Sequence, residues 1–331
     1  MSVLTVHDLV VETQNARLVD GVGFAVRAGR TLGLVGESGS GKSVTCLSVL
    51  GLPPRGVRVT AGRILLDGDD LRAKTPAELN ALRGREIGMI LQDPMTSLNP
   101  LLTIGRQITE MFRYRDGVTS RTQREARAIE LLRRVRIPAP ESRLNSYPHQ
   151  FSGGMRQRVA IAMNLACNPR LLIADEPTTA LDITVRLQIL DLLREVQAER
   201  GTAIVLVTHD LHLVRRYCDD VAVMYAGRII EQGPVEDVFA RPRHPYTKGL
   251  LGAVPRLRGL QHRLTVIPGQ PPLAGSIAQG CRFAPRCPRA QADCLSAYPA
   301  TRAIDMHRGV ACWHPEPDEQ TADSLLATAA S

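Results

Sequence analysis

The octapeptide Gly36-Glu-Ser-Gly-Ser-Gly-Lys-Ser43 constrains this chain more than any other feature. It fits the phosphate-loop pattern G-x-x-x-x-G-K-[ST], and it lies in the context that pattern requires. The apolar run Thr31-Leu-Gly-Leu-Val35 ahead of it reads as a buried parallel strand, and Val44 to Leu50 behind it reads as a helix start. A strand–loop–helix unit of this kind belongs in an α/β domain with a parallel sheet. Glycine lets the loop wrap so that successive N–H groups point inward at phosphates. Gly36, Ser38, Gly39, Ser40 and Gly41 would form that cradle. Lys42 would reach the β- and γ-phosphates of ATP, and the Ser43 hydroxyl would ligate Mg²⁺.

Other apolar runs end in polar groups. Leu171-Leu-Ile-Ala-Asp-Glu176 is a short buried strand closing on two carboxylates. Such a strand delivers its last residues to the carboxyl edge of the sheet, where nucleotides bind in open α/β folds. Asp175 is expected to hold Mg²⁺, and Glu176 to orient and polarise the attacking water. Ala203-Ile-Val-Leu-Val-Thr208 ends at His209, the expected γ-phosphate sensor. Ile87-Gly-Met-Ile-Leu91 precedes Gln92, whose amide would ligate Mg²⁺ and report nucleotide state to residues 93–100.

Phe151-Ser-Gly-Gly-Met-Arg-Gln157 lies between the loop and the acidic strand end. A glycine pair after a serine at a helix start presents bare backbone N–H groups and a hydroxyl. Ser152, Gly153 and Gly154 therefore suit the γ-phosphate of a nucleotide held by a second subunit.

The order of these motifs, with Thr179-Ala-Leu-Asp182 between the acids and His209, resembles the nucleotide-binding subunits of ABC transporters over residues 1 to about 235. Phe151-Ser-Gly-Gly-Met, Ile90 to Pro100 and Ala174 to Asp182 are more narrowly similar to the dipeptide/oligopeptide importer group. Arg243-His-Pro-Tyr-Thr247 is similar to the start of that group's C-terminal extension, and Met155 resembles the first of its two paired ATPase subunits. The resemblance implies a parallel-sheet core, an N-terminal antiparallel β subdomain and a helical subdomain. It implies Asp182 near the nucleotide, a homologous second ATPase, two transmembrane permeases and an extracytoplasmic binding protein. It also implies a peripheral place on the cytoplasmic face of the inner membrane. Peptides are the leading cargo; nickel, glutathione-like peptides and haem stay open. A soluble ABC ATPase acting on ribosomes or DNA is a distant alternative, since there is one cassette and no heptad coiled coil interrupts residues 43–152. The family's adenine-stacking aromatic is replaced here by Thr13.

Composition sets bounds. At 331 residues, with 44% hydrophobic residues, there is room for one large α/β domain and an appendage. Of 41 positive residues only Lys42, Lys74 and Lys248 are lysine, and the net charge is +8. No nucleic-acid motif with stacking aromatics accompanies that charge, so no nucleic-acid partner is expected. The basic helical pattern Arg121 to Arg136 reads as a solvated face. No apolar run approaches 18 residues and no charged-then-apolar leader precedes the domain, so neither a membrane span nor a secretion signal is expected. The expected division is an ATPase domain at 1–240, with a helical subdomain at about 100–165. A C-terminal extension follows at 241–315, then a disordered tail at 316–331.

Cys46, Cys167 and Cys218 lie in helical patterns and read as small buried hydrophobes. Cys281, Cys287, Cys294 and Cys312 crowd the last fifth among turn formers. They predict a small Cys-rich domain stapled by metal, either an iron–sulfur cluster or Zn²⁺, with no metal at all as the third possibility. His307 and His314 are possible substitute ligands. The importer resemblance implies a [4Fe–4S] cluster on the four cysteines.

Overall fold

The computed structural model describes residues 2–91, 97–113, 120–178, 181–253, 266–272 and 279–317. In chain order its strands are β1 Ser2–Glu12, β2 Arg17–Arg27, β3 Thr31–Val35, β4 Arg58–Leu66, β5 Asp69–Asp70, β6 Ile87–Ile90, β7 Leu171–Asp175, β8 Ala203–Val207, β9 Asp220–Tyr225, β10 Arg228–Pro234, β11 Arg302–Ala303 and β12 Gly309–Val310. Burial separates two kinds. β2 alternates between buried and exposed, as an antiparallel strand with one wet face does. β3, β7 and β8 are buried at every residue, as central strands covered on both faces are.

The first kind forms an antiparallel sheet of order β2-β1-β4-β5. The second forms the centre of a larger sheet, β11-β12-β10-β9-β3-β8-β7-β6. Its stretch from β9 to β6 is parallel, and the β10, β12 and β11 edge is antiparallel. Side-chain alternation divides the core. Along β8, Ala203, Val205 and Val207 pack toward Leu4, Leu9 and Val22 of the small sheet. Ile204 and Leu206 pack on the opposite face with Ile108, Leu132, Ile161 and Leu190.

The expected helical block contains Ile104–Arg113, Arg121–Arg134, Pro140–Arg143 and Gly153–Leu165. The Arg121–Arg134 helix buries Ala128 and Leu132 and turns its charges outward. There Arg121 pairs with Glu125 at 2.8 Å, and Arg134 with Glu199. No described helix is long and apolar enough to cross a membrane.

The cysteine-bearing segment departs from expectation. It is no separate layer: β12 pairs with β10, Glu231 opposite Val310, and extends the main sheet. Phe283 sits 5.3 Å from the Tyr225 ring and 5.4 Å from the Tyr246 ring. A segment this poor in apolar residues borrows the core it lacks. Arg308 supplies the polar fastening. Its guanidinium lies 3.2 Å from the Glu231 carboxylate, both fully enclosed, and Glu231 also accepts the N–H groups of Arg243 and His244. Burial raises the Glu231 pKa, and those donors act against the rise. Glu316, expected in a disordered tail, is anchored. Its N–H donates to the Arg243 carbonyl at 2.8 Å and its carboxylate pairs with Lys248 at 2.8 Å. Residues 318–331 lie outside the described part.

Candidate functional site

Neighbouring parallel strands end on one sheet edge, and that geometry assembles the site. β3 runs into the loop Gly36–Ser43, β7 delivers Asp175 and Glu176, and β8 leads to His209. A cavity of about 700 Å³ lies over this edge, lined by Glu37 to Val44, Glu176 and His209, with further walls from elsewhere.

The loop can take its shape only with glycine at Gly36. There φ is +150°, and a Cβ would lie 2.0 Å from the Met224 carbonyl oxygen. Gly41 caps the following helix, Lys42–Val49, from a left-handed conformation. Lys42 is buried, and its ammonium donates to the carbonyls of Gly36 at 2.8 Å and Glu37 at 2.9 Å. Burial lowers its pKa, while Glu176 and Asp175 act in the opposite sense.

Asp175 is buried and bonded to the Ser43 hydroxyl. Its Oδ1 is enclosed without a hydrogen-bond partner. Burial raises its pKa, with Ser43 opposing. An orphaned carboxylate oxygen beside a serine hydroxyl is a donor set that fits Mg²⁺, a hard cation taking oxygen ligands. Glu176 holds φ of +46°, rare for a residue with a side chain. Its N–H donates to the Val207 carbonyl at 3.0 Å, which ties the strained residue to β8. The Glu176 carboxylate lies 3.3 Å from His209 Nδ1. The expected base and the expected sensor therefore touch.

Some expected residues are not described, and two further groups do not line the cavity. Gln92 lies outside the described residues, as do Thr179 and Ala180. Ser152, Gly153 and Gly154 begin the helix Gly153–Leu165 on the surface and do not line the cavity of their own chain. Ser152 caps that helix by accepting the Met155 N–H at 3.3 Å. Asp182 caps the helix Ile183–Arg200 by accepting the Val185 N–H at 2.9 Å, and it too is away from the cavity.

The cavity also has walls that no motif indicated: Arg17, Leu18, Tyr225, Ala226, Pro271 and Pro272. Thr13 is not among them. Its hydroxyl closes the turn between β1 and β2, accepting the Ala16 N–H at 3.0 Å. The missing aromatic thus leaves a turn residue in its place, while the wall is built by Arg17 and by prolines from the C-terminal segment.

The four late cysteines lie near one another. Burial pushes the Cys312 thiol up to about 11, and Cys281, Cys287 and Cys294 add to the rise. Backbone N–H groups of Phe283 and Ala284 reach the Cys281 sulfur, Arg289 that of Cys287, and His314 that of Cys312. Such donors stabilise thiolate and suit a metal–thiolate site. Among the described residues, Asp293, Cys294 and His314 form a tight potential ligand group, their donor atoms within 4.8 Å of one another. His307 is not part of that group. Cys46 and Cys167 are buried, as expected of small hydrophobes.

Comparison with known proteins agrees with this geometry. Residues 19–179 match the ABC transporter family, and residues 230–294 match the oligopeptide/dipeptide transporter C-terminal region. The chain is 50% identical to a probable peptide ABC transporter ATP-binding protein of Sinorhizobium fredii, covering 91% of this chain and 90% of that one. It is 49% identical to the dipeptide transport ATP-binding protein DppD of Bacillus subtilis, over 89% and 88% of the two chains. Among solved structures, the cassette MJ0796, dimeric with ADP and phosphate, superposes with a TM-score of 0.63 at 28% identity. That match spans 70% of this chain and 98% of MJ0796. The subunit cbiO1 of Clostridium perfringens, part of the ABC transporter complex cbiONQ, superposes with the same TM-score of 0.63 at 30% identity, over 72% and 91% of the two chains. The chain belongs to the ABC transporter family, among the ATP-hydrolysing subunits that carry the oligopeptide/dipeptide transporter C-terminal region.

Proposed function

We propose that this chain is the ATP-driven motor subunit of a peptide importer. The observation that carries the reading is the union, in one sheet, of a phosphate loop faced by Glu176 and His209 with the extension shared by the peptide-transport relatives. In hydrolysis a water oxygen attacks the γ-phosphorus and the bond to the β–γ bridging oxygen breaks, giving ADP and phosphate. The Glu176 carboxylate orients that water and draws on its proton. His209 holds Glu176 by its ring nitrogen and faces the γ-phosphate. Lys42 exchanges its loop carbonyls for phosphate oxygens. Ser43, Asp175 and Gln92 would hold Mg²⁺, which neutralises charge on the phosphates.

Ser152, Gly153 and Gly154 serve a nucleotide held by a second, homologous ATPase, with Asp182 beside that interface. Their absence from the lining of their own chain's cavity, and the exposure of Ser152 and Gly153, support this. The two ATPases close on ATP and move two permeases, to which an extracytoplasmic binding protein brings the peptide. The subunit sits peripherally on the cytoplasmic face of the membrane. Reconstitution with the permeases and ATPase of neighbouring genes tests the whole reading. Mg²⁺-dependent phosphate release should rise when peptide-loaded binding protein is added. Stimulation by nickel or haem in place of peptides would move the cargo to that class.

Cys281, Cys287, Cys294 and Cys312 would hold a [4Fe–4S] cluster with a structural role; the N–H donors that reach Cys281, Cys287 and Cys312 favour thiolates and support this reading. When bound, the cluster would brace a segment that has little core of its own. Anaerobically purified protein is expected to be brown, with about four irons per chain. Serine at any one of the four should bleach it; serine at Cys46, Cys167 or Cys218 should not. One zinc and no iron would instead favour a Zn²⁺ site, with His314 available beside Cys294.

A further inference from the structure

The C-terminal segment reaches back to the phosphate loop. Arg286 lies in the turn Ala284–Arg286, directly before Cys287, and is almost wholly buried. Its guanidinium grips the carboxylate of Glu37, the second residue of the loop, with both nitrogens, at 2.7 and 3.0 Å. Its Nε donates to the Pro268 carbonyl at 2.8 Å, and one terminal nitrogen lies 3.3 Å from the Tyr225 hydroxyl. The Glu37 N–H in turn donates to the Tyr246 hydroxyl at 2.9 Å. The Glu37 carbonyl is one of the two that hold Lys42. Four residues earlier, Arg282 pairs with Asp20 on β2 and donates to the carbonyl of Ala226, which lines the same cavity. Pro271 and Pro272 of the same C-terminal segment also line it.

A bidentate pair between a buried arginine and a loop carboxylate fixes direction as well as distance. Glu37 precedes the glycine-rich stretch whose N–H groups would meet phosphate, so its anchorage sets the path of that backbone. We propose that Arg286 is a positioning residue of the nucleotide site. Through Glu37, the cysteine-bearing turn sets how tightly the phosphate loop holds ATP. This rests on the reading of Gly36–Ser43 as the phosphate loop.

The test uses the full-length chain, with a fluorescent ATP analogue for binding and the assembled transporter for kinetics. Variants are Arg286→Met, Arg286→Lys, Glu37→Gln and the double Glu37→Gln/Arg286→Met. Losing a charge-assisted bidentate contact is expected to raise Kd and KM for ATP by about tenfold, with kcat nearly unchanged. Arg286→Lys should recover part of the affinity. The double variant should bind no more weakly than the worse single, because both remove one interaction. Unchanged Kd in both singles, or effects that multiply in the double, overturns the proposal. Should Arg286→Met fail to fold, Glu37→Gln leaves the C-terminal segment intact, and its Kd decides. Lys42→Ala is the control on the underlying reading. Undiminished ATP binding in that variant would overturn the phosphate-loop assignment itself.

Discussion

Replacing Glu176 by glutamine is expected to lower ATP turnover by at least about a hundredfold, the lower end of what a positioned base contributes. The substitution keeps the size and shape of the side chain and removes its charge. The backbone is already committed there: φ is +46°, and the N–H is tied to Val207. The amide can still meet His209, so the cluster need not rearrange. What is lost is the ability to draw on the proton of the attacking water. Binding of ATP depends on the loop and Lys42, which the substitution leaves in place, and should be unchanged. The variant should therefore accumulate with ATP bound, in a closed pair with its partner subunit. Steady-state phosphate release beside equilibrium ATP binding checks this, and size-exclusion chromatography with ATP shows the trapped pair. Turnover near the wild-type rate would remove Glu176 from its role.

Gly153→Asp should abolish hydrolysis in the assembled transporter while leaving ATP binding by the isolated subunit intact. The structure selects this position over its neighbour. A Cβ at Gly154 would lie 2.9 Å from Val185 Cγ1, so any side chain there disturbs the subunit's own packing. At Gly153 nothing lies within 4 Å. An aspartate in the first turn of Gly153–Leu165 even complements the helix dipole, so the subunit's melting temperature should hold or rise slightly. Against the partner's γ-phosphate the same carboxylate is a like charge in a closed, poorly hydrated site. Hydrolysis by the complex and binding by the separate subunit are the two measurements. Equal loss of both would mean that Gly153 serves the nucleotide of its own chain.

The sequence by itself determined the catalytic edge. Apolar runs of four to six residues closing on Gly36, Asp175 and His209 are local patterns, and their pitch needs no knowledge of distant contacts. Once those strands run parallel as neighbours, their last residues must share one edge, so Glu176 and His209 meet. The crowding of four cysteines in the last fifth was also legible, whereas the ligand group that the structure brings together, Asp293, Cys294 and His314, includes a carboxylate that no spacing indicated. The loop's own glycines were readable too, because only glycine tolerates the backbone at Gly36.

Only the tertiary structure decided what the C-terminal segment does. The sequence predicted a small domain of its own, whereas β12 and β11 extend the ATPase sheet beyond β10 and Glu316 is fastened to Lys248. It also decided which residues close the cavity, with Arg17 and Pro271–Pro272 as walls and Thr13 spent on a turn. Arg286 and Glu37 stand 249 positions apart. A contact over that separation leaves no periodicity, spacing or composition signal in either stretch of chain. It exists because a segment too poor in apolar residues to fold alone settles on Tyr225, Tyr246 and the sheet edge, and carries its arginine to the loop.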